Sequence, residues 1–446
     1  MNTDSNNLRK LAEKLVQYGR KQGADEIEIT LYEGREFEVE ARLGRIENLV
    51  EAGSRYCSIR VFKDKRVASA SSSDLTLSTL QLLIRSALNR ASLTHPDDFA
   101  GLPAPARFKV TEDSLKLYDP EVARLKPQEK IKLALTTEKI ALKDKRITNS
   151  FGASFVTNEL KTVLVNSNGF SGEYLQTYCS LSLGLQAGQG DHLVEDYWFS
   201  SKRHFKDLST PEEVARIAVE RTVRQLNPRK IKTQNVPVIF EPSMTSWLLA
   251  FLFGCVSGTA VYQQRTFLAG KLGEKIGNNL VTVIDDGLLP GRLGSRPFDS
   301  EGLPTQRTVV LEKGVLKNYL CNTYASRKLN LPATGNGNGR GVVPNNFFLE
   351  PGSSTPEEII RSTRKGLLLT RVMGHGLNSV TGDISRGASG LWIEDGQVVY
   401  PVSEITIAGN LGQILKNIEA VGNDLLFESP VCGPTIMVAE MTVAGR

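Results

Sequence analysis

Residues 247–255 read WLLAFLFGC, the most apolar short run in the chain. How that run is housed decides how the second half of the molecule is built. A membrane-spanning helix needs about 20 consecutive apolar residues. Here Thr245 and Ser246 precede the run, and Ser257, Gly258 and Thr259 follow it. The run is too short to span, so a buried core helix is expected. The preceding VPVIFE (236–241) reads as a strand feeding into that helix, and β signals dominate downstream. RTVVLEKGVLKNYLCN (307–322) is expected to turn at Lys313-Gly314, and LWIEDGQVVYPV (391–402) at Asp395-Gly396. Asp-Gly between alternating apolar residues favours a two-residue hairpin turn. The C-terminal half, 234–446, is therefore expected to be sheet-rich and barrel-like.

Upstream, Leu8, Leu11, Leu15 and Val16 recur at helical spacing. EIEITLYEG (26–34), EFEVEARLGRIENLVEAG (36–53) and YCSIRVFKDKRVASA (56–70) read as a strand meander with a turn at Lys63-Asp64-Lys65. Helices are expected over 76–92 and 127–142, with strands in KTVLVNSNG and TYCSLSLGLQAG. In TPEEVARIAVERTVRQL, Thr210 suits the N-cap, Pro211 the first turn and Glu213 the capping-box position. Thr355–Glu358 repeats the same TPEE start. The fold class is α+β: a helix-plus-antiparallel-sheet half over 1–233 and the sheet-rich half over 234–446. The first half divides further into 1–105 and 106–233 if the Pro-rich loop at 94–108 is a boundary.

The opening MNTDSNNLRKLAEKL has no basic start followed by a long apolar stretch, so no secretory signal is expected. The five cysteines are scattered and form no CxxC pair, which fits a reducing, cytoplasmic setting. A net charge of +5 on 446 residues is mild. The basic cluster RKIK (229–232) lacks interleaved aromatics, so neither nucleic acid nor membrane is expected as a partner.

A zinc hydrolase needs neutral imidazoles to hold the metal and a carboxylate to activate water. The four histidines, His95, His192, His204 and His375, never fall within one helical turn of each other. GASGL (387–391) is not a G-x-S-x-G elbow, and a cysteine nucleophile would need a paired histidine. Cys432, in SPVCGPT, is the cysteine best placed among turn residues to be accessible, with a buried, inert thiol as the alternative. TGNGNGRG (334–341) fits neither nucleotide motif. It reads either as a mobile surface loop or as a backbone-rich wall against an extended peptide, which would make Gly335, Asn336 and Gly337 binding candidates. TGDISRGASG (381–390) brings Asp383, Ser385 and Arg386 between glycines. There Arg386 either pairs with Asp383 or holds a ligand carboxylate.

The stretches KRITNSFGASF, RPFDSEGLPTQR, SRKLNLPATGN and above all GDISRGASGLWIEDGQVVYPVSEITIAGNL resemble the TldD/PmbA family. The resemblance runs through to the closing MTVAGR and is nearest to the PmbA (TldE) branch. It implies a cytosolic hetero-oligomeric zinc metallopeptidase that acts on unfolded peptides. The TldD branch carries an LL-HExxxH pattern on the corresponding helix, with a cysteine near the C-terminus completing the zinc site. Aligned on Leu248-Leu249, Ala250 falls at the first histidine, Phe251 at the glutamate and Cys255 at the second histidine, with Cys432 near the third ligand. Alanine and phenylalanine neither bind zinc nor move a proton. The resemblance thus implies no catalytic residue and no metal in this chain, with zinc in a TldD-like partner. The chain itself is expected to be a structural, substrate-enclosing subunit that offers sheet edges to an extended peptide. Two rival readings stay open: an independent homodimeric peptidase using another site, and a non-enzymatic regulator of the gyrase-modulator kind.

Overall fold

The computed structural model describes residues 5–105, 112–190, 193–339 and 341–445. Helix α1 (Ser5–Lys21) precedes three strands, β1 (Glu26–Arg42), β2 (Arg45–Lys63) and β3 (Arg66–Ser72), and helix α2 (Leu77–Ala91) follows them. Short helices α3 (Glu112–Leu115) and α4 (Pro120–Arg124) lead into α5 (Pro127–Ala141). Strands β4 (Ile147–Asn166), β5 (Ser171–Ala187) and β6 (Val194–Lys202) then precede α6 (Pro211–Val223). The six strands form one antiparallel sheet in the order β3-β2-β1-β4-β5-β6.

The meander differs from the expected one. β1 runs straight through Gly34 and β2 through Gly53, and the chain turns instead at Leu43-Gly44, both with positive φ. Gly34 belongs inside a strand because a Cβ there would lie 3.0 Å from the Glu159 carbonyl of β4. The turn at Asp64-Lys65 forms as expected, with both residues at positive φ.

Strands of this length, at about 3.3 Å per residue, accommodate two helix pairs in series along one face. α1 and α2 cover Ile27, Ile29 and Leu31 of β1, while α5 and α6 cover Phe37, Val39 and Ala41 of the same strand. Those six residues share one parity and hence one face. The opposite face carries Glu28, Thr30, Tyr178, Ser180 and Ser182, and it is polar.

The second half begins with β7 (Gln234–Phe240), which leads through Glu241 into α7 (Pro242–Val256) and α8 (Gly258–Tyr262). Next come β8 (Val283–Asp286), β9 (Arg307–Glu312), β10 (Val315–Leu316), α9 (Thr323–Leu329) and β11 (Phe347–Leu349). After α10 (Pro356–Ser362) follow β12 (Lys365–Met373), β13 (Leu377–Asn378), β14 (Asp383–Glu394) and β15 (Gln397–Asn410). The chain closes with α11 (Leu411–Lys416), β16 (Ile418–Val421), β17 (Val431–Cys432) and β18 (Ile436–Ala444). The strands β12-β7-β18-β15-β14 form a ring, because β12 pairs in parallel with β7 and antiparallel with β14. Closure removes the free edges that an open sheet would expose. A smaller sheet, β10-β9-β8-β11-β17, stands beside this barrel. The expected α+β class with a barrel-like second half is the one observed. Turns at Lys313-Gly314 and Asp395-Gly396 form with positive φ at both positions, and Thr210 and Thr355 cap α6 and α10.

Helix α7 is the element that both sheets share. Leu248, Leu249, Leu252 and Val256 join one core with Phe240 of β7, Val283 of β8, Phe347 of β11 and Ile436 of β18. Only about 10 Å³ of free space remains beside Leu248 and Leu252, less than a water needs. No helix among the described residues is long and apolar enough to cross a membrane.

Candidate functional site

Glu241 sets where α7 starts. Its carboxylate receives Arg221 Nη1 of α6 at 3.0 Å and Arg224 Nη1 of the residue that caps α6 at 2.6 Å. Burial pushes this carboxyl up, but Arg224 and Arg221 outweigh it and hold it below its ordinary value. Pro242 fills the first helical position, where its missing N–H costs nothing. Ser243, Ala250 and Gly254 are exposed and Trp247 is half-buried, which makes one stripe at helical spacing. Phe251 keeps 8 % of its surface and packs into the core, and Cys255 is fully buried.

The four positions that the resemblance aligns with a zinc site carry two buried thiols and neither imidazole nor carboxylate. Ala250 faces outward with no donor atom, and Phe251 is an apolar core residue. Burial pushes the Cys255 thiol up to about 11. Cys432 is buried rather than accessible, and its thiol donates to the Ser429 carbonyl at 2.7 Å. Burial raises its pKa as well. A protein ligand to zinc is a thiolate, a neutral imidazole or a carboxylate, and a catalytic zinc takes three of them. Ala250 and Phe251 offer none, so the two thiols alone fall short of that set. Among the described residues, no three His, Cys, Asp or Glu side chains gather as a metal site. His95 and His375 are exposed. His204 Nε2 lies 2.8 Å from the Lys116 carbonyl, and His192 lies outside the described residues.

The first half of the glycine loop, 334–337, is buried, which corrects its reading as a mobile surface loop there, while Asn338 is exposed. Gly335, Asn336 and Gly337 are all buried, whereas Arg340 lies outside the described residues. Asn336 Nδ2 donates to Asp285 Oδ2 at 2.7 Å and to the Val343 carbonyl at 2.9 Å. The Gly337 amide donates to Asp299 Oδ2 at 2.7 Å. At Gly335, with φ of 69°, a Cβ would sit 2.4 Å from the Pro304 carbonyl oxygen. Burial pushes Asp285 up to about 6 despite hydrogen bonds from Asn336 and Asn345. Asp299 is raised by burial and by the Glu301 carboxylate beside it. Arg60 of β2 joins this network to the first half through Glu28 at 3.1 Å and the Gly339 carbonyl at 3.1 Å.

Asp383, Ser385 and Arg386 lie elsewhere, at the start of β14. Arg386 does not pair with Asp383, because residues three apart on a strand face opposite sides. Asp383 instead accepts from Thr381 Oγ1 at 2.6 Å and Asn410 Nδ2 at 2.9 Å. The Ser385 amide donates to the Gly376 carbonyl at 2.8 Å. Arg386 Nε donates to the Met373 carbonyl at 3.0 Å, and its Cζ stands 5.6 Å from the Trp247 ring centroid. Arg386 therefore borders the outward stripe of α7, a juxtaposition the spacing along the chain does not reveal.

One concave feature has no counterpart in the sequence motifs. It lies between the polar face of β5–β6 and the loop at 428–430, with a volume of about 640 Å³. A second cavity of about 450 Å³ shares Tyr197 and Phe199 with it and reaches Ser243 and Met244 at the start of α7. Together they form a groove from the neighbourhood of Cys432 to the first turn of α7. Tyr197 and Phe199 stack with ring centroids 6.2 Å apart and planes 15° from parallel. Ser180 Oγ and Ser201 Oγ lie 2.8 Å apart, and Tyr178 Oη lies 3.2 Å from Ser201 Oγ. Arg203 is spent on backbone, donating to the carbonyls of Arg292, Leu293 and Ser295. Burial pulls it down to about 10. Glu428 caps the edge strand by accepting from the Ser201 amide at 2.5 Å and pairing with Lys202. The alternation in TYCSLSLG was the available signal, because Tyr178, Ser180 and Ser182 are its polar half.

The chain is similar to known proteins over nearly its whole length. Residues 27–91, 120–226 and 233–445 match the models for PmbA/TldA metallopeptidase domain 1, central domain and C-terminal domain. Metalloprotease PmbA of Escherichia coli O157:H7 is 36% identical over 429 residues, covering 96% of this chain and 93% of that one. The metalloprotease PmbA homolog of Haemophilus influenzae is 36% identical over 442 residues, covering 98% and 96%. The crystal structure of TldE from Thermococcus kodakarensis superposes with a TM-score of 0.89 at 25% identity, covering 98% of this chain and all 100% of that one. A Bacteroides thetaiotaomicron protein whose name ties it to DNA gyrase modulation gives a TM-score of 0.93 at 31% identity, covering 100% of both chains. With matches of this identity running nearly end to end, the chain belongs to the PmbA/TldD metallopeptidase family.

Proposed function

We propose that this chain is the PmbA/TldE-type subunit of a cytoplasmic TldD-type zinc metallopeptidase that cleaves unfolded polypeptides. In this role it is not the catalytic chain. It pairs with a TldD-like chain that holds the zinc and the general base, and it supplies part of the wall that encloses an extended substrate. The single observation carrying this reading is the chemistry at Ala250 and Phe251: one offers no donor and the other is core. At the aligned positions only the thiols of Cys255 and Cys432 could donate to a metal, and neither Ala250 nor Phe251 can activate water. The name of the Bacteroides thetaiotaomicron relative carries a second reading, a regulator without a part in proteolysis.

The test is dialysis of the purified chain against zinc, followed by metal analysis of the wild type and of Cys255→Ala and Cys432→Ala. The expected zinc content is well below stoichiometric and equal in all three. Stoichiometric zinc that is lost on either substitution would overturn the assignment of a non-catalytic role.

A further inference from the structure

We propose that the β5–β6 groove is a subsite for an extended, uncharged stretch of polypeptide that lays an aromatic or aliphatic side chain on the Tyr197–Phe199 stack. This rests on the subunit reading above and adds a substrate class and a place.

The floor comes first. Gln176, Tyr178, Ser180 and Ser182 alternate along β5 and face one side, and Tyr197, Phe199 and Ser201 do the same along β6. β6 is the edge strand of its sheet, and it is tied to the second half near both ends. Glu195 pairs with Arg371 at 2.8 Å at one end, and Lys202 pairs with Glu428 at the other. Between these ties the strand spans about 23 Å at 3.3 Å per residue, which matches about seven residues of extended chain.

The chemistry of the floor selects the occupant. Its charged groups are already engaged: the Arg203 guanidinium donates to four backbone carbonyls and to Gln176 Oε1, and Glu428 is held by Lys202 and the Ser201 amide. A phosphate backbone needs cations to pair with, and none is left to offer here. Hydroxyls donate and accept alike. Ser180 and Ser201 are buried and bonded to each other, while the half-buried hydroxyls of Tyr178 and Ser182 suit main-chain N–H and C=O groups without demanding a sequence. The apolar contribution is local. Tyr197 is 61% exposed and stacks nearly flat on Phe199, a platform at the junction of the two cavities. Exposed aromatic surface rimmed by polar residues is characteristic of a binding face. Since the platform is local while the hydroxyls run along the floor, one side chain is selected and its neighbours are tolerated.

The experiment uses the full chain and fluorescein-labelled nonapeptides of Gly and Ser carrying one central Phe, Ala or Glu, with affinity read by anisotropy. A further Phe-position probe carries benzoylphenylalanine for photo-cross-linking and mass-spectrometric mapping. The Phe peptide is expected to bind about 2–10-fold more tightly than the Ala peptide, with the Glu peptide weakest. Tyr197→Ala and Phe199→Ala should abolish the difference between the Phe and Ala peptides, with the Phe peptide losing more affinity than the Ala peptide. Cross-links are expected in β5, β6 and 428–430. Cross-links elsewhere, equal affinity for all three peptides, or a Phe preference that survives both substitutions would overturn the proposal. Tyr197 is mostly exposed, so its loss does not threaten folding. Partner-independent cleavage or stoichiometric zinc would instead defeat the subunit reading, and the cross-link map would stand untouched by it.

Discussion

Ala250 and Phe251 are neighbours in α7 with opposite surroundings: Ala250 is exposed, and Phe251 is packed into the core that barrel and small sheet share. Successive residues of a helix are about 100° apart, so one turns to solvent as the other turns inward. A metal-binding side chain at 250 could reach solvent, but a general base at 251 would have to replace a core ring.

That contrast separates two substitutions. Phe251→Glu should lose about 3 kcal/mol or more, since it removes a buried ring and buries a carboxylate. Ala250→His should stay within about 0.5 kcal/mol of wild type. Urea unfolding of both variants checks this. Equal midpoints for the two would mean that Phe251 does not pack as described.

Glu241 joins α6 to α7 through Arg221 and Arg224. Glu241→Gln should cost about 3 kcal/mol at neutral pH, because it leaves buried guanidinium groups without their counter-charge. The folded carboxyl sits below its ordinary value of 4.5. Its stabilisation is therefore present above that value and is lost as pH falls through the lower folded one. The gap between wild type and variant in urea midpoint should narrow below pH 4.5. A gap that does not change with pH would show that the effect of the substitution is not ionic.

Asp285 runs the other way. Its folded carboxyl is raised from 3.8 to about 6, so the folded state holds a proton that the unfolded chain has released. Its contribution is greatest below pH 3.8 and is lost as pH rises through about 6. Between pH 5 and 7.5 the wild type should lose stability with rising pH, and Asp285→Asn should show a flatter slope whatever its absolute stability. Identical slopes would place the titration elsewhere.

Arg386 and Trp247 form a half-buried pair, and cation–π pairs of this kind contribute about 1 kcal/mol. Arg386→Ala should therefore cost about that much, and it should uncover the ring and shift tryptophan emission to the red. An unshifted spectrum would mean that the guanidinium does not cover the ring in solution.

Local chemistry made much of this fold legible. The Asp395-Gly396 turn, the Thr210 and Thr355 caps and the burial of α7 all follow from residues within one or two turns of each other. Gly34 misled because a strand interior tolerates glycine where a neighbouring strand approaches closely, a non-local fact, whereas nothing crowds Gly53. TGNGNGRG reads as a surface loop because its composition is polar. Its asparagine and glycine amides are in fact the donors that satisfy the buried Asp285 and Asp299. The groove escaped notice for a related reason. Tyr178 and Ser180 sit on the same face as Tyr197 and Ser201 only after two strands pair, and the wall at Glu428 comes from the far end of the chain.

Cleavage of an unfolded peptide by this chain alone, by a TldD-type chain alone and by the two mixed, each with and without a chelator, tests the account most directly. The predicted result is no turnover from this chain alone, turnover from the mixture, and its loss on chelation. Chelator-insensitive turnover by this chain alone would contradict the account and make it a peptidase in its own right.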